Sequence, residues 1–250
     1  MSAGASELSN RAPVFGPRGK IGVVVPANNS VIEPEFWSVL PEGVAVYATR
    51  IMARGDLTPA AVKLMETQVD RAVDELAATG VDVIAYADMV TTFIMEPGWN
   101  EHAVEAISKR TGVRCVSAWT ALRDALAAIG VRRFALGTPY PAAIHALAPP
   151  FFRARGFELT GDATLDILAM RDVPKVDGAM LARFVESLPK QGAQAVVLLA
   201  TDLPSFGSLA ALEQACGCPV LTSNLVILWA ALRAAGVNDK LPGLGRLMTL

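Results

Sequence analysis

Charge is scarce in this chain. Only 18% of its 250 residues are Asp, Glu, Lys or Arg, and the net charge is −2. A nucleic-acid binder needs a basic face to neutralise phosphates, so this balance argues against one. Cysteine is sparse and odd in number, at Cys115, Cys216 and Cys218. The Cys216-Gly217-Cys218 pair is too tightly spaced for an ordinary disulfide, and no second cluster exists to complete a zinc site. Histidine occurs only at His102 and His145, both inside helical patterns without metal-ligand spacing, so a metal site is not expected. No GxSxG elbow, Walker loop or GxGxxG fingerprint is present, and a nucleotide cofactor is likewise not expected. The apolar runs fall far short of the roughly 20 residues that a membrane span needs. Met1–Ser9 lacks the apolar segment of a signal peptide. The expectation is a reduced, cytoplasmic protein without cofactor, metal, nucleic-acid or membrane partner; a homo-oligomer is left open.

What the chain does have is apolar residues, 52% of the total. At roughly 150 residues per domain it makes one large domain or two small ones, with enough chain to bury a core unaided. Residues 1–18 are rich in Gly, Ser and Pro without periodicity and read as a loose tail. Beyond them, apolar runs of strand length recur at Ile21–Val25, Val44–Ala48, Val83–Ala87, Arg114–Val116, Phe134–Gly137, Ala195–Leu199 and Pro219–Leu221. Helical patterns lie between, clearest over Pro59–Thr79, where Val62, Met65, Val69, Ala72, Val73 and Leu76 form one stripe. Others cover His102–Lys109, Thr120–Ile129, Pro141–Arg155, Gly178–Leu188, Ser208–Ala215 and Asn224–Ala235. Apolar strands separated by helices indicate an α/β fold with parallel sheets covered on both faces.

The pattern also repeats. Thr111–Val131 resembles Cys216–Val237: a Gly, a short strand, a Ser/Thr turn, a helix and a closing Gly-Val. The two copies lie about half the ordered chain apart, which suggests a duplication rather than a short-period solenoid. The expected architecture is two similar α/β halves, 19–130 plus 223–250 and 131–222, facing one another across a cleft. Ligands of parallel sheets sit at the carboxyl ends of the strands, so the residues just after each strand are the candidates.

After the first strand stand Asn28, Asn29 and Ser30. Their side chains, with free helix amides, make a neutral cradle for a carboxylate; a helix cap is the competing reading. Asp88 ends an apolar strand, where a carboxylate is desolvated and its pKa raised, as a general acid or base needs; it can equally cap the next turn. Thr138 and Tyr140 offer a hydroxyl and a phenol beside a helix N-terminus, able to hold a carboxylate or enolate oxygen, with packing the alternative for Tyr140. Thr201 and Asp202 follow the Ala195–Leu199 strand, where Asp202 resembles an N-cap before Pro204. Thr222-Ser223-Asn224 reads foremost as a cap. Trp229, on a nearly continuous apolar helix, is expected in the core.

Four ordered segments resemble the aspartate/glutamate racemase superfamily in its maleate isomerase and arylmalonate decarboxylase branch: Gly22–Phe36, Tyr86–Phe93, Leu136–Ile144 and Pro219–Gly236. The resemblance implies two pseudo-symmetric Rossmann-like halves, a cofactor-free, metal-free active site in the cleft between them, and small carboxylic acids as substrates. It places Asn29 on the family's substrate-binding Asn and Tyr140 on its carboxylate-binding Tyr. It also implies two departures. The strand-end cysteine of the first half falls on Asp88, and that of the second falls on Ala200. Neither two-thiol racemisation nor thiolate addition to a double bond can then operate.

The expected function is a cofactor-independent isomerase or lyase of a small mono- or dicarboxylic acid. Asp88, with Asp202 as a second candidate, is the general acid/base. Asn28, Asn29, Thr138, Tyr140, Thr201 and the main-chain amides of Met89 and Val90 hold the substrate. A decarboxylase or hydrolase using the same site, and a non-catalytic carboxylate-binding paralogue, are the alternatives.

Overall fold

The seven apolar runs all become strands, and an eighth joins them. In a computed structural model, which describes residues 15–53 and 55–250, one sheet contains β1 (Gly19–Pro26), β2 (Val44–Ile51), β3 (Val83–Tyr86) and β4 (Arg114–Ser117). The second contains β5 (Arg133–Thr138), β6 (Glu158–Thr164), β7 (Ala195–Leu198) and β8 (Val220–Thr222). All pairings are parallel, in the orders β2-β1-β3-β4 and β6-β5-β7-β8. The two orders are the same path walked twice, as the internal repeat implies. The end of β3 is therefore equivalent to the end of β7, and the end of β1 to that of β5.

The central strands β3 and β7 are wholly buried, whereas the edge strands β2 and β6 are half-exposed along most of their length. The polarity of β6 (Glu-Leu-Thr-Gly-Asp-Ala-Thr) hid it from a search for apolar runs. An edge strand covered on one side needs no such run.

The helices around the first sheet are α1 (Ile32–Val39), α2 (Pro59–Glu66), α3 (Val69–Ala78), α4 (Thr91–Ile94), α5 (Trp99–Thr111) and α6 (Ala118–Ala128). Around the second are α7 (Ala142–His145), α8 (Ala148–Arg153), α9 (Gly178–Ser187) and α10 (Leu209–Cys216), with a 3-10 turn at Met170–Lys175, and α11 (Ser223–Ala234) follows β8. Two expected helices are split. The Pro59–Thr79 stripe breaks at Thr67–Gln68, where the Gln68 side chain turns back to hydrogen-bond the Met52 backbone. The Pro141–Arg155 pattern breaks at Ala146–Leu147, just before Pro149 and Pro150, whose missing N–H groups cannot continue a helix. Helix α1 is expected from the sequence only as the helix that Asn28 and Asn29 would cap; the amides of Val31 and Ile32 at its start donate to the Asn29 side-chain Oδ1.

The last helices of the two halves cross over. Helix α11 packs on α6 and on β1, β3 and β4 of the first sheet. Trp119 of α6 enters an aromatic cluster with Phe151, Phe152 and Phe157, with Phe151 at 4.8 Å edge-on. This exchange ties the halves together. Trp229, expected in the core, is only partly buried, packed against the edge of the core on a helix whose neighbouring residues 225–228 and 230–232 are buried, and its indole Nε1 has no partner among the described residues.

Residues 1–14 of the expected tail lie outside the described residues. Its C-terminal end is tied down, because the Arg18 guanidinium donates to the Glu42 carbonyl (3.0 Å) and pairs with Asp239. Among the described residues, no helix is long and apolar enough to cross a membrane.

Candidate active site

The carboxyl ends of β1, β3, β5 and β7 converge on one solvent-accessible cleft, in which about 70 Å³ is open to the centres of water-sized molecules. From the first half it is lined by Asn28 and Asn29, by Asp88, Met89 and Val90, and by Ala61, Val62 and Met65 of α2. The second half contributes Tyr140, Met170, Thr201 and Asp202. The strand-end rule thus locates the cleft, although its wall is completed by α2 and the Met170 turn, which no strand-end reading includes.

Asp88 is 6% exposed. Its Oδ1 accepts the Thr91 amide at 2.8 Å, so it caps α4 while facing the cleft; the two readings of this residue are compatible. Burial lifts its pKa from 3.8 to about 6, against the opposing pull of the Thr91 amide and hydroxyl and the Val90 amide. Asp202 is 8% exposed and its pKa is raised to about 7, first by burial and then by the charge of Asp88, with its own backbone amide pulling down.

The expected capping role of Asp202 is not seen. Glu35 takes it over from the opposite half: its Oε1 accepts the amides of Ser205 and Phe206 (2.7 Å to Phe206), and its Oε2 accepts Asn224 Nδ2 at 2.7 Å. Asn224 also donates to the Thr201 carbonyl at 3.0 Å. A partly buried carboxylate on α1 therefore clamps the loop that carries Asp202 and leaves the Asp202 side chain to the cleft. Thr222 caps α11 through Leu225, as its position suggests.

Asn29 and Thr201 are brought together, but chiefly with each other. Asn29 Nδ2 donates to Thr201 Oγ1 (3.0 Å), which donates to the Ala87 carbonyl (3.2 Å), while Asn29 Oδ1 caps α1. The pair latches the two halves beneath the cleft and leaves one Asn29 N–H for a ligand. Asn28 is exposed at the mouth.

Tyr140 is 2% exposed, and burial with the charges of Asp88 and Asp202 raises its pKa well above 10, so it remains a protonated donor. Thr138 is not brought to the cleft. It is wholly buried, and its hydroxyl is engaged 2.9 Å from His145 Nδ1.

One acid escaped the sequence reading. Glu66 on α2 accepts the Tyr86 hydroxyl through Oε1, and its buried Oε2 has no partner among the described residues. Burial, with the charge of Asp88, lifts its pKa to about 8, against the hydrogen bond from Tyr86. A Glu flanking an apolar stripe looks like any solvated helix face, so no sequence signal marked it.

Ala200, at the end of β7, has φ +97°, in the left-handed region that L-residues avoid. Its amide donates to Ser223 Oγ at 3.1 Å.

Cys115, Cys216 and Cys218 do not line the cleft. Nor, among the described residues, does any Lys, Arg or His. A ligand carboxylate would therefore be held by neutral dipoles: the strand-end amides, the Asn28 and Asn29 side chains and the Tyr140 hydroxyl. No group of three or more His, Cys, Asp or Glu suited to a metal ion occurs among the described residues.

This fold is shared with known proteins. The sequence profile of arylmalonate decarboxylases matches residues 21–248. The chain belongs to that family. It is 26% identical over 243 residues to a maleate isomerase of Geobacillus stearothermophilus, covering 92% of this chain and 97% of the relative. It is 27% identical over 233 residues to the arylmalonate decarboxylase of Bordetella bronchiseptica, covering 91% and 95%. Among solved structures, a cysteine-to-alanine variant of the maleate isomerase Iso from Pseudomonas putida S16, with maleate, superposes with a TM-score of 0.88. That match has 25% identity and covers 92% of this chain and 97% of the other. A liganded double variant of arylmalonate decarboxylase superposes at 0.83, with 26% identity and coverage of 92% and 98%. The family thus sits, as its motifs indicate, in the maleate isomerase and arylmalonate decarboxylase branch, and the two-sheet architecture is that of its members.

Proposed function

We propose that this protein is a cofactor-independent isomerase or lyase of a small carboxylic acid, in which Asp88 moves the proton. One observation carries the reading: a buried carboxylate with its pKa raised to about 6 faces the cleft, opposite a second acid raised to about 7. Near neutral pH the first is mainly ionised and the second close to half protonated, so base and acid stand ready together.

The chemistry follows from what the lining can do. Ionised Asp88 takes a proton from a saturated carbon next to the substrate carboxylate, and the electron pair of that C–H bond passes into the carboxylate as an enediolate. Tyr140 and the Met89 and Val90 amides stabilise its oxygens by hydrogen bonds. Returning the proton at another position or face gives isomerisation. In the decarboxylation variant the C–CO2 bond breaks instead, its electron pair stays on the α-carbon, and protonated Asp202 or Asp88 supplies the proton.

A maleate cis-trans isomerase of Nocardia farcinica carries a covalently bound succinylcysteine. In this chain no thiol lines the cleft, and a carboxylate is a poor carbon nucleophile. Proton transfer is therefore favoured over covalent addition.

The test is to incubate the protein with a panel of small acids, including maleate and phenylmalonate, in deuterated water and to follow conversion and deuterium incorporation by NMR. The reading expects turnover or exchange that Asp88→Asn abolishes while ligand binding survives. Binding without exchange of any bound acid would leave a carboxylate-binding protein instead.

A further inference from the structure

Behind the cleft runs a buried polar chain that the proton-transfer reading does not use. Its centre is His145 on α7. The ring Nε2 is 3.0 Å from Asp162 Oδ1 on β6, and Nδ1 is 2.9 Å from Thr138 Oγ1 at the end of β5. Thr138 Oγ1 lies 3.4 Å from Thr164 Oγ1, which in turn donates to the Tyr140 carbonyl. The sequence acid–imidazole–hydroxyl is that of a hydrolytic triad. Here, however, the hydroxyl is wholly buried and lines no cleft, so no substrate reaches it.

Proton accounting shows what the chain does instead. The Asp162 carboxylate only accepts, so Nε2 carries a proton. The Thr138 hydroxyl has one proton: it donates either to Nδ1, leaving the 3.4 Å Thr164 contact without a proton, or to Thr164 while it accepts from a proton on Nδ1. The His145–Thr138 link therefore holds in both arrangements and the link to Thr164 only in the second.

The turn that this chain grips cannot hold itself. Tyr140 lies between Pro139 and Pro141, which lack N–H groups. The turn is fixed through its carbonyls and its edges. The Leu165 amide bonds Thr138 O, the Ile167 amide bonds Pro139 O, and Asp166 Oδ1 takes the Ala142 amide, at 2.9, 2.9 and 2.8 Å.

We propose that His145 and Thr138 are positioning residues: the Asp162–His145–Thr138–Thr164 chain fixes the Pro139–Pro141 turn and so aims the Tyr140 hydroxyl into the cleft. This inference rests on the reading of Tyr140 as a substrate donor for its catalytic consequence, and on geometry alone for its structural one.

The two parts are tested separately. The chain has three tyrosines, so tyrosine labelled with carbon-13 at Cζ gives three resolvable signals, and Tyr140→Phe identifies that of Tyr140. In Thr138→Val the Tyr140 signal shifts or splits while those of Tyr47 and Tyr86 stay in place, and Thr138→Ser restores it. Asp162→Asn, at the more exposed end of the chain, gives the same result should Thr138→Val fold poorly. With maleate or phenylmalonate as probe, Thr138→Val lowers kcat by up to about 100-fold with KM unchanged, the scale of a misplaced catalytic group. The double variant Thr138→Val/Tyr140→Phe is no worse than Tyr140→Phe alone. An unmoved Tyr140 signal in Thr138→Val and Asp162→Asn, or losses that multiply in the double variant, would overturn the inference. If neither probe turns over in the parent protein, the functional reading fails for those acids, and the Tyr140 signal alone decides the positioning role.

Discussion

Replacing Asp88 by Asn changes one property of a buried position: it removes the charge and keeps the shape. The amide oxygen can still accept the Thr91 N–H, so the cap on α4 survives. What disappears is the cost of ionising a carboxyl in a dry place. The rise from 3.8 to about 6 corresponds to about 3 kcal/mol against the ionised form. The sign follows from linkage. The folded-state pKa lies above the unfolded one, so the contribution of Asp88 is stabilising below pH about 4 and is lost as pH rises through about 6. The variant lacks this dependence. Its stability relative to the parent should therefore climb by about 2–3 kcal/mol between pH 4 and pH 8. Relief of the acids that feel Asp88, Asp202 and Glu66, adds to the upper part of that range. Urea denaturation of both proteins at intervals across this range measures the difference directly. Over the same series, proton exchange into a bound acid should fall by about 10²–10⁴-fold. A stability difference flat in pH would show that Asp88 is ionised in contact with water, and the argument for a poised base would go with it.

Ala200→Gly should stabilise the protein by about 0.5–1 kcal/mol, because φ +97° strains any residue with a Cβ; an unchanged urea midpoint would show that the loop relaxes the strain elsewhere. Glu35→Ala leaves the Ser205 and Phe206 amides without their acceptor and should cost at least about 2 kcal/mol in denaturation. It should also reduce turnover, since the same loop carries Asp202. Trp229→Phe removes an indole N–H that has no partner among the described residues and should change stability by less than about 1 kcal/mol, well below the loss expected for a fully buried Trp; a loss of 3 kcal/mol would place its ring in the core after all.

The readability of this chain follows from which residues do two jobs. The central strands were legible because burial on both faces leaves nothing but apolar residues, as in Ala195–Leu198. Strand β6 was not, because an edge strand is under no such constraint. Asn28, Asn29, Asp88, Tyr140, Thr201 and Asp202 were found through one rule, that ligands meet the carboxyl ends of parallel strands, and all six line the cleft. Thr138 obeys the same rule by position and fails it by direction, because successive strand residues point to opposite faces and its side chain turns to His145. Glu35 and Glu66 carry roles set by partners about 170 and 20 residues away, Ser205 and Tyr86, and spacing along the chain holds no trace of the first.

The electrostatics of the cleft bear on which acid it can serve. Burial is what raises the carboxyls, and the lining of the cleft offers no cationic side chain to balance a negative ligand. Each charge added to the cleft raises the pKa of those already there, as Asp88 does for Asp202 and Glu66. A bound carboxylate must act in the same direction, drawing a proton onto Asp202, the group poised closest to neutrality. On the proposed reading, substrate binding loads the acid: the anion that enters makes Asp202 a better-populated proton donor, while Asp88, with the lower pKa and the Thr91 amide on its oxygen, keeps its charge longer. The division of labour between base and acid is then set by a few hydrogen bonds to one carboxylate rather than by any difference in residue type.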